Sequence, residues 1–216
     1  MRVTHIGHSC LLVEAGGVRV LVDPGTFTHG FEELTALDAV LVTHQHPDHL
    51  DGERLPQLLE ANDGAQVIAE PSVAAELTKV GVEASPLHPG ETRALGGVEV
   101  AGVGGQHAVI HRDVPRIGNV GLVFSADGEP TLFHPGDMID TTPEGVDVLA
   151  LPINAPWAAA KETVEFARAV GAATVFPIHD ALLSPTGRGL YLRVVGGLLP
   201  DETRLRSLAG EGAVDL

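Results

Sequence analysis

The chain has 216 residues, 44% of them hydrophobic and only 19% charged, with a mean hydropathy of +0.18. That composition can repay the entropy of ordering and excludes a disordered chain. Twenty-nine acidic against thirteen basic residues give a formal charge of −16. With no Lys/Arg run to track a phosphate backbone, this excludes nucleic acid and anionic membrane surfaces as partners.

The length fits one domain over residues 1–216, with two pseudo-related halves at about 1–90 and 91–216. Aromatics are scarce at 4%, so the core must be built from Val, Leu, Ala and Ile, while 26 Gly and 15 Pro cut the chain into short elements. The lone Cys10 cannot form an internal disulfide, and Met1 to His5 show no charged start followed by an apolar run. No apolar stretch reaches 18 residues, and the expectation is a cytoplasmic protein with a small-molecule substrate. A homo-oligomer is left open.

In chain order, Cys10 to Val13 and Val18 to Val22 read as a hairpin around Ala15-Gly16-Gly17, closed by Asp23-Pro24-Gly25. A buried strand over Ala39 to Val42 runs into His44, and a helix is predicted from near Gly52 or Pro56. A short strand at Val67-Ile68 precedes a helix from Pro71 to Gly81. The Pro- and Gly-rich stretch from Pro86 to Gly97 reads as a seam between the halves. The second half predicts strands at Val98 to Val103, Val120 to Phe124, Thr131 to Phe133 and Val148 to Leu151. A helix at Lys161 to Val170, a strand at Thr174 to Ile178 and a helix near Leu190 to Leu199 follow. Antiparallel strands followed by βα units, twice over, predict an α/β (α+β) fold: a four-layer αββα sandwich.

The chemistry concentrates in Thr43-His44-Gln45-His46-Pro47-Asp48-His49, where three imidazoles and a carboxylate occupy six positions just past a buried strand. Such groups are ligands for Zn²⁺ and similar ions. The alternate spacing of His44 and His46 lets both face one ion, and Pro47 restricts the turn so that Asp48 and His49 can be aimed at a second. Further candidates recur past other strands: His107, Asp137 and His179. Strand ends converging on one edge would bring them into one cleft.

These residues resemble the metallo-β-lactamase fold superfamily, whose HxHxDH motif stands here as His44 to His49. The similarity extends over Asp23-Pro24, His107, Gly136-Asp137 and Pro177-Ile178-His179. Ile6-Gly7-His8-Ser9, read as preceding the first strand, is similar to the short bacterial ascorbate-6-phosphate lactonase-like members. The resemblance implies that His44, His46 and His107 hold one metal, Asp48, His49 and His179 the other, and that Asp137 bridges both. It implies two divalent ions, zinc ahead of manganese or iron. The reaction class would be a dinuclear hydrolase using a metal-bridging hydroxide on a small ester, lactone, amide or phosphodiester, with Asp48 as the protein's catalytic carboxylate.

Several more residues keep two readings. His111 is an alternative to His107 as ligand. His134 either supports the ligands or caps its strand, His8 either approaches the cleft or shapes the hairpin entrance, and Asp23 either orients a ligand histidine or forms the turn before Pro24. Trp157 is either a substrate-facing wall or a packing anchor. Arg112 and Arg116 either recognise an anion or are solvated. An iron oxidoreductase on the same fold and a non-catalytic metal-binding protein are the competing functions.

Overall fold

The computed structural model describes all residues 1–216. Its strands are β1 (Arg2–Gly7), β2 (Cys10–Ala15), β3 (Val18–Val22), β4 (Ala39–Val42), β5 (Gln66–Ala69), β6 (Ser85–Pro86), β7 (Thr92–Leu95), β8 (Val98–Gln106), β9 (Gly118–Ala126), β10 (Leu132–His134), β11 (Val148–Pro152), β12 (Thr174–Ile178), β13 (Arg204–Leu205) and β14 (Ala213–Asp215). The helices are α1 (Leu55–Glu60), α2 (Pro71–Lys79), α3 (Ala160–Val170) and α4 (Pro185–Gly196).

Two seven-stranded sheets form, ordered β14-β1-β2-β3-β4-β5-β6 and β13-β12-β11-β10-β9-β8-β7. In each, the early strands pair antiparallel and the following ones parallel, with the change at β3/β4 in one sheet and at β10/β11 in the other, while the C-terminal β14 returns antiparallel to β1. Three hydrophobic clusters separate four layers. One unites side chains of both sheets, including Leu11, Val13, Leu41, Val100, Leu122 and Ile178. A second joins the outer face of the first sheet to α1 and α2, and a third does the same for the second sheet with α3 and α4.

The period-two alternation of strand side chains explains this division. In β2, Leu11 and Val13 face the other sheet while Cys10 and Leu12 face the helices. All four residues of β4 are buried, two on each face, as expected of a parallel strand covered on both sides. Full burial of each such Val or Leu is worth about 1.5–3 kcal/mol. The architecture is the expected αββα sandwich.

Two local readings are corrected, and a third, the seam, gains a strand. A strand, β1, precedes the predicted hairpin: Val3 and His5 are buried on alternate positions, and the strand is paired on both sides, by β2 and by the C-terminal β14. His8 and Ser9 therefore form the β1–β2 turn. The seam contains β7, which pairs with β8. Helix α4 starts at Pro185, five residues early, because Ser184 Oγ accepts the Gly187 N–H and Pro185 supplies a preset first turn.

Strands β1, β3, β4, β8, β10, β11 and β12 all run toward the same edge of the sandwich, so the residues following them meet there. No helix is long and apolar enough to cross a membrane.

Candidate metal centre

Two groups of side chains meet at that edge. His44, His46, His107 and Asp137 form one, and His8, Asp48, His49 and His179 the other; within each, the ligand atoms lie within 4.8 Å of one another. Asp137 lies between them. Its Oδ2 is 3.3 Å from His107 Nε2 and 3.2 Å from His179 Nε2, and its Oδ1 is 3.1 Å from His49 Nε2.

The histidine tautomers follow from what each Nδ1 touches. His107 Nδ1 donates to the Ala108 carbonyl at 2.7 Å, His179 Nδ1 to the Asn154 carbonyl at 2.6 Å, and His49 Nδ1 to Asp23 Oδ2 at 2.7 Å. Thr43 Oγ1 gives its proton to Asp23 Oδ2, so it accepts from His44 Nδ1 at 3.0 Å. Each of these four rings therefore presents Nε2 to the centre, its orientation fixed from behind. His46, half-buried, instead brings Nδ1 to within 3.2 Å of His44 Nε2.

Asp23 thus serves both groups, directly through His49 and through Thr43 for His44. It takes the orienting role offered in the sequence, at a positive φ of 48°. Glycine is required next to it: a Cβ on Gly25 would fall 1.8 Å from the Asp48 carbonyl oxygen, so the ligand loop packs directly on this backbone. Gly136, at φ 60°, likewise leaves no room for a side chain beside Asn119 and Thr43.

Four buried atoms face inward with no hydrogen bond of acceptable geometry: Nε2 of His49, His107 and His179, and Oδ1 of Asp137. Burying polar atoms unpaired costs about 1–3 kcal/mol each. Imidazole nitrogens and carboxylate oxygens converging from both groups are the donor set divalent metals take, so these residues fit a metal centre.

Electrostatics agree with the packing. Burial opposes a charge on His49, but Asp137 and Asp23 outweigh it and raise its pKa well above the ordinary value. The same opposition at His179, with Asp137 and Asp48 prevailing, brings it to about 9. Burial and the neighbouring His49 push His44 well below 6.5. Burial opposes ionisation of Asp137 too, yet His49, His107 and His179 hold its pKa well below the usual carboxylate range. Asp48 is also held low, against burial, by the nearby His179 imidazole and by the hydrogen bond from His8.

His8 reaches the centre, but as a donor. Its Nδ1 accepts the Ala181 N–H at 3.3 Å, which leaves the proton on Nε2, 3.1 Å from Asp48 Oδ2. Its carbonyl takes two bonds, from His5 Nε2 and from the His179 N–H, which hold it at a φ of 50°.

The residues that carried two readings fall into distinct places. His111 is exposed, with Nδ1 accepting the Asp113 N–H, and stands outside both groups, so it does not take the place of His107. His134 Nε2 donates to the Ser9 carbonyl and its Nδ1 accepts the Gly136 N–H; with both nitrogens used, it supports the turn that carries Asp137. Trp157 is buried and donates its Nε1–H to Asp137 Oδ2 at 3.0 Å, with its ring edge toward His107 and His179. Arg116 donates to the His107 carbonyl and pairs with Asp140 at 3.1 Å, while Arg112 is exposed.

Sequence reasoning missed Asn119, which accepts the Asp137 N–H and donates to the Pro135 carbonyl. The signal was present: a fully buried amide in the otherwise apolar run of β9 must be paired. Thr43, a flank of the motif in the sequence, also proves to be part of the site.

A beta-lactamase superfamily domain model matches residues 2–179. The chain is 49% identical over 192 residues to Protein Rv0786c of Mycobacterium tuberculosis, covering 88% of this chain and 89% of that one. It is 31% identical to a UPF0173 metal-dependent hydrolase of Azorhizobium caulinodans, over 91% and 93% of the two chains. The solved metallo-beta-lactamase fold protein YhfI from Bacillus subtilis superposes with a TM-score of 0.71 at 16% identity, covering 95% of each chain. The chain belongs to the beta-lactamase superfamily, as a metal-dependent hydrolase.

Proposed function

We propose that the chain is a dinuclear hydrolase of a small ester, lactone, amide or phosphodiester. His44, His46 and His107 would hold one ion and Asp48, His49 and His179 the other, with Asp137 available to both. The observation that carries this reading is the set of inward-facing, unpaired Nε2 and Oδ1 atoms on both sides of Asp137. Bound divalent ions supply Lewis acidity, polarising a substrate oxygen and lowering the pKa of water toward ~7.

The protein's own groups do the rest. Asp23, Thr43, Asn154 and the Ala108 carbonyl fix four imidazole rings, so little reorganisation accompanies the reaction. Trp157 and Asn119 hold the Asp137 side chain and backbone. Asp48 is the most solvent-accessible carboxylate of the set, with 20% of its side chain exposed. Hydrogen-bonded by His8, it would take the proton that the attacking water loses and return it to the departing alcohol or amine.

The test is elemental analysis of protein purified without added metal or a histidine-rich tag, followed by an ester, lactone and phosphodiester panel. Two zinc or manganese ions per chain, with turnover abolished by chelation and restored by metal, are expected. A single iron, or full loading without turnover on any class, would contradict the proposal.

A further inference from the structure

Large hydrophobic side chains are exposed at nine positions, and five belong to three loops tied to the metal-centre residues. Phe27, 43% exposed, sets its ring against His8 with centroids 5.2 Å apart. Leu182, 59% exposed, follows Ala181, whose N–H is bound to His8 Nδ1. Val109 and Ile110 follow Ala108, whose N–H donates to the Asp137 carbonyl at 2.7 Å. Val114 lies on the same loop, closed at its base by the His107 N–H to the Ile117 carbonyl and by Arg116 to the His107 carbonyl. On the α2 side, His46 also lines a groove of about 490 Å³ with Pro47, Leu50, Leu77 and Val80. Scattered single hydrophobics are ordinary on a surface, but five on loops anchored to one polar centre point to a place where apolar matter binds.

Three of the nearby cations are already paired, while Arg112 is exposed to solvent. Arg116 pairs with Asp140 at 3.1 Å, Arg188 with Asp180 at 2.6 Å beside the Leu182 loop, and Arg54 with Asp51 at 2.6 Å. Arg112 has Asp113 at 3.7 Å. A phosphate or carboxylate on the substrate would compete with these carboxylates for Arg116, Arg188 or Arg54, in a chain whose formal charge is already −16.

We infer that Phe27, Val109, Ile110, Val114 and Leu182 form the subsite for an uncharged, apolar acyl or alkyl portion of the substrate. This rests on the metal-centre reading above and narrows it, favouring esters, lactones or amides with a hydrocarbon group over phosphorylated or carboxylated substrates.

Three hydroxamates sharing one chelating group test the inference by calorimetry on the metal-loaded protein: acetohydroxamate, hexanohydroxamate and succinic monohydroxamate. Each methylene withdrawn from water adds about fourfold in affinity. Hexanohydroxamate, with four more methylenes than acetohydroxamate, is therefore expected to bind roughly tenfold or more tighter than either comparator at a half-open rim. Ile110→Asp with Leu182→Asp should erase that gain while leaving acetohydroxamate affinity within about twofold, since both side chains are exposed. Equal affinities for all three, or preference for the succinic compound, would overturn the subsite. Failure of acetohydroxamate to bind a metal-loaded protein would instead contradict the metal-centre reading, and the subsite would fall with it.

Discussion

The His44, His46 and His107 side of the centre draws on two chain segments, whereas the side made by His8, Asp48, His49 and His179 draws on three. The first joins one loop to one strand end: His44 and His46 alternate just past β4 in the first sheet, and His107 stands just past β8 in the second. Both sides therefore need the two sheets in register, and the second adds a third segment: His8 leaves β1 in one sheet and His179 leaves β12 in the other, the two joined by a backbone hydrogen bond. Two residues make the halves one device. Asp137 lies between the groups, and Asp23 steadies a histidine of each.

The largest effect is expected where the halves are shared. Asp137→Ala should lower activity by about a thousandfold or more and reduce metal content on both sides, while circular dichroism keeps the native fold. Loss from one side only would show that the carboxylate serves a single ion. Asp23→Asn should weaken metal binding at both sites by about 10–100-fold, the range for partners that orient ligands. Retention of either site's affinity would break the claim that one carboxylate steadies both.

His8 sharpens the contrast on a smaller scale. His8→Ala should weaken only the Asp48, His49 and His179 site, by about tenfold, since it removes one orienting donor rather than a ligand. His8→Gln, which retains a donor, should recover part of the loss. Equal weakening of both sites would contradict the donor role.

The smallest effect is on the stability of chelated protein. With His179 near 9 in the folded chain against 6.5 unfolded, its contribution is fully present below pH 6.5 and is lost as pH rises toward 9. The urea midpoint of metal-free protein should fall over that interval, and His179→Gln should flatten the fall. A midpoint rising across the same range would refute the sign.

What the sequence made legible depended on how far apart in the chain the partners of each residue lie. Alternating apolar residues and turn residues were enough to predict the strands that lead to His44, His107, Asp137 and His179 and the sandwich they form. The HxHxDH loop declared its donors through spacing alone. His8 kept two readings because its role depends on β1, a strand whose alternation is modest and whose pairing with β14 spans the whole chain. Trp157 kept two because nothing nearby in sequence reveals that its N–H meets Asp137, twenty residues away. Asn119 is hidden in an apolar run, although a buried amide there requires a partner.

The most direct test of a two-part centre is a calorimetric zinc titration of chelated wild-type protein beside His107→Ala and His179→Ala. The account predicts two ions for the wild type and one tight ion for each variant, with the surviving site differing between them by competition against chelators of graded strength. A single ion in the wild type, or two undiminished ions in either variant, would contradict it.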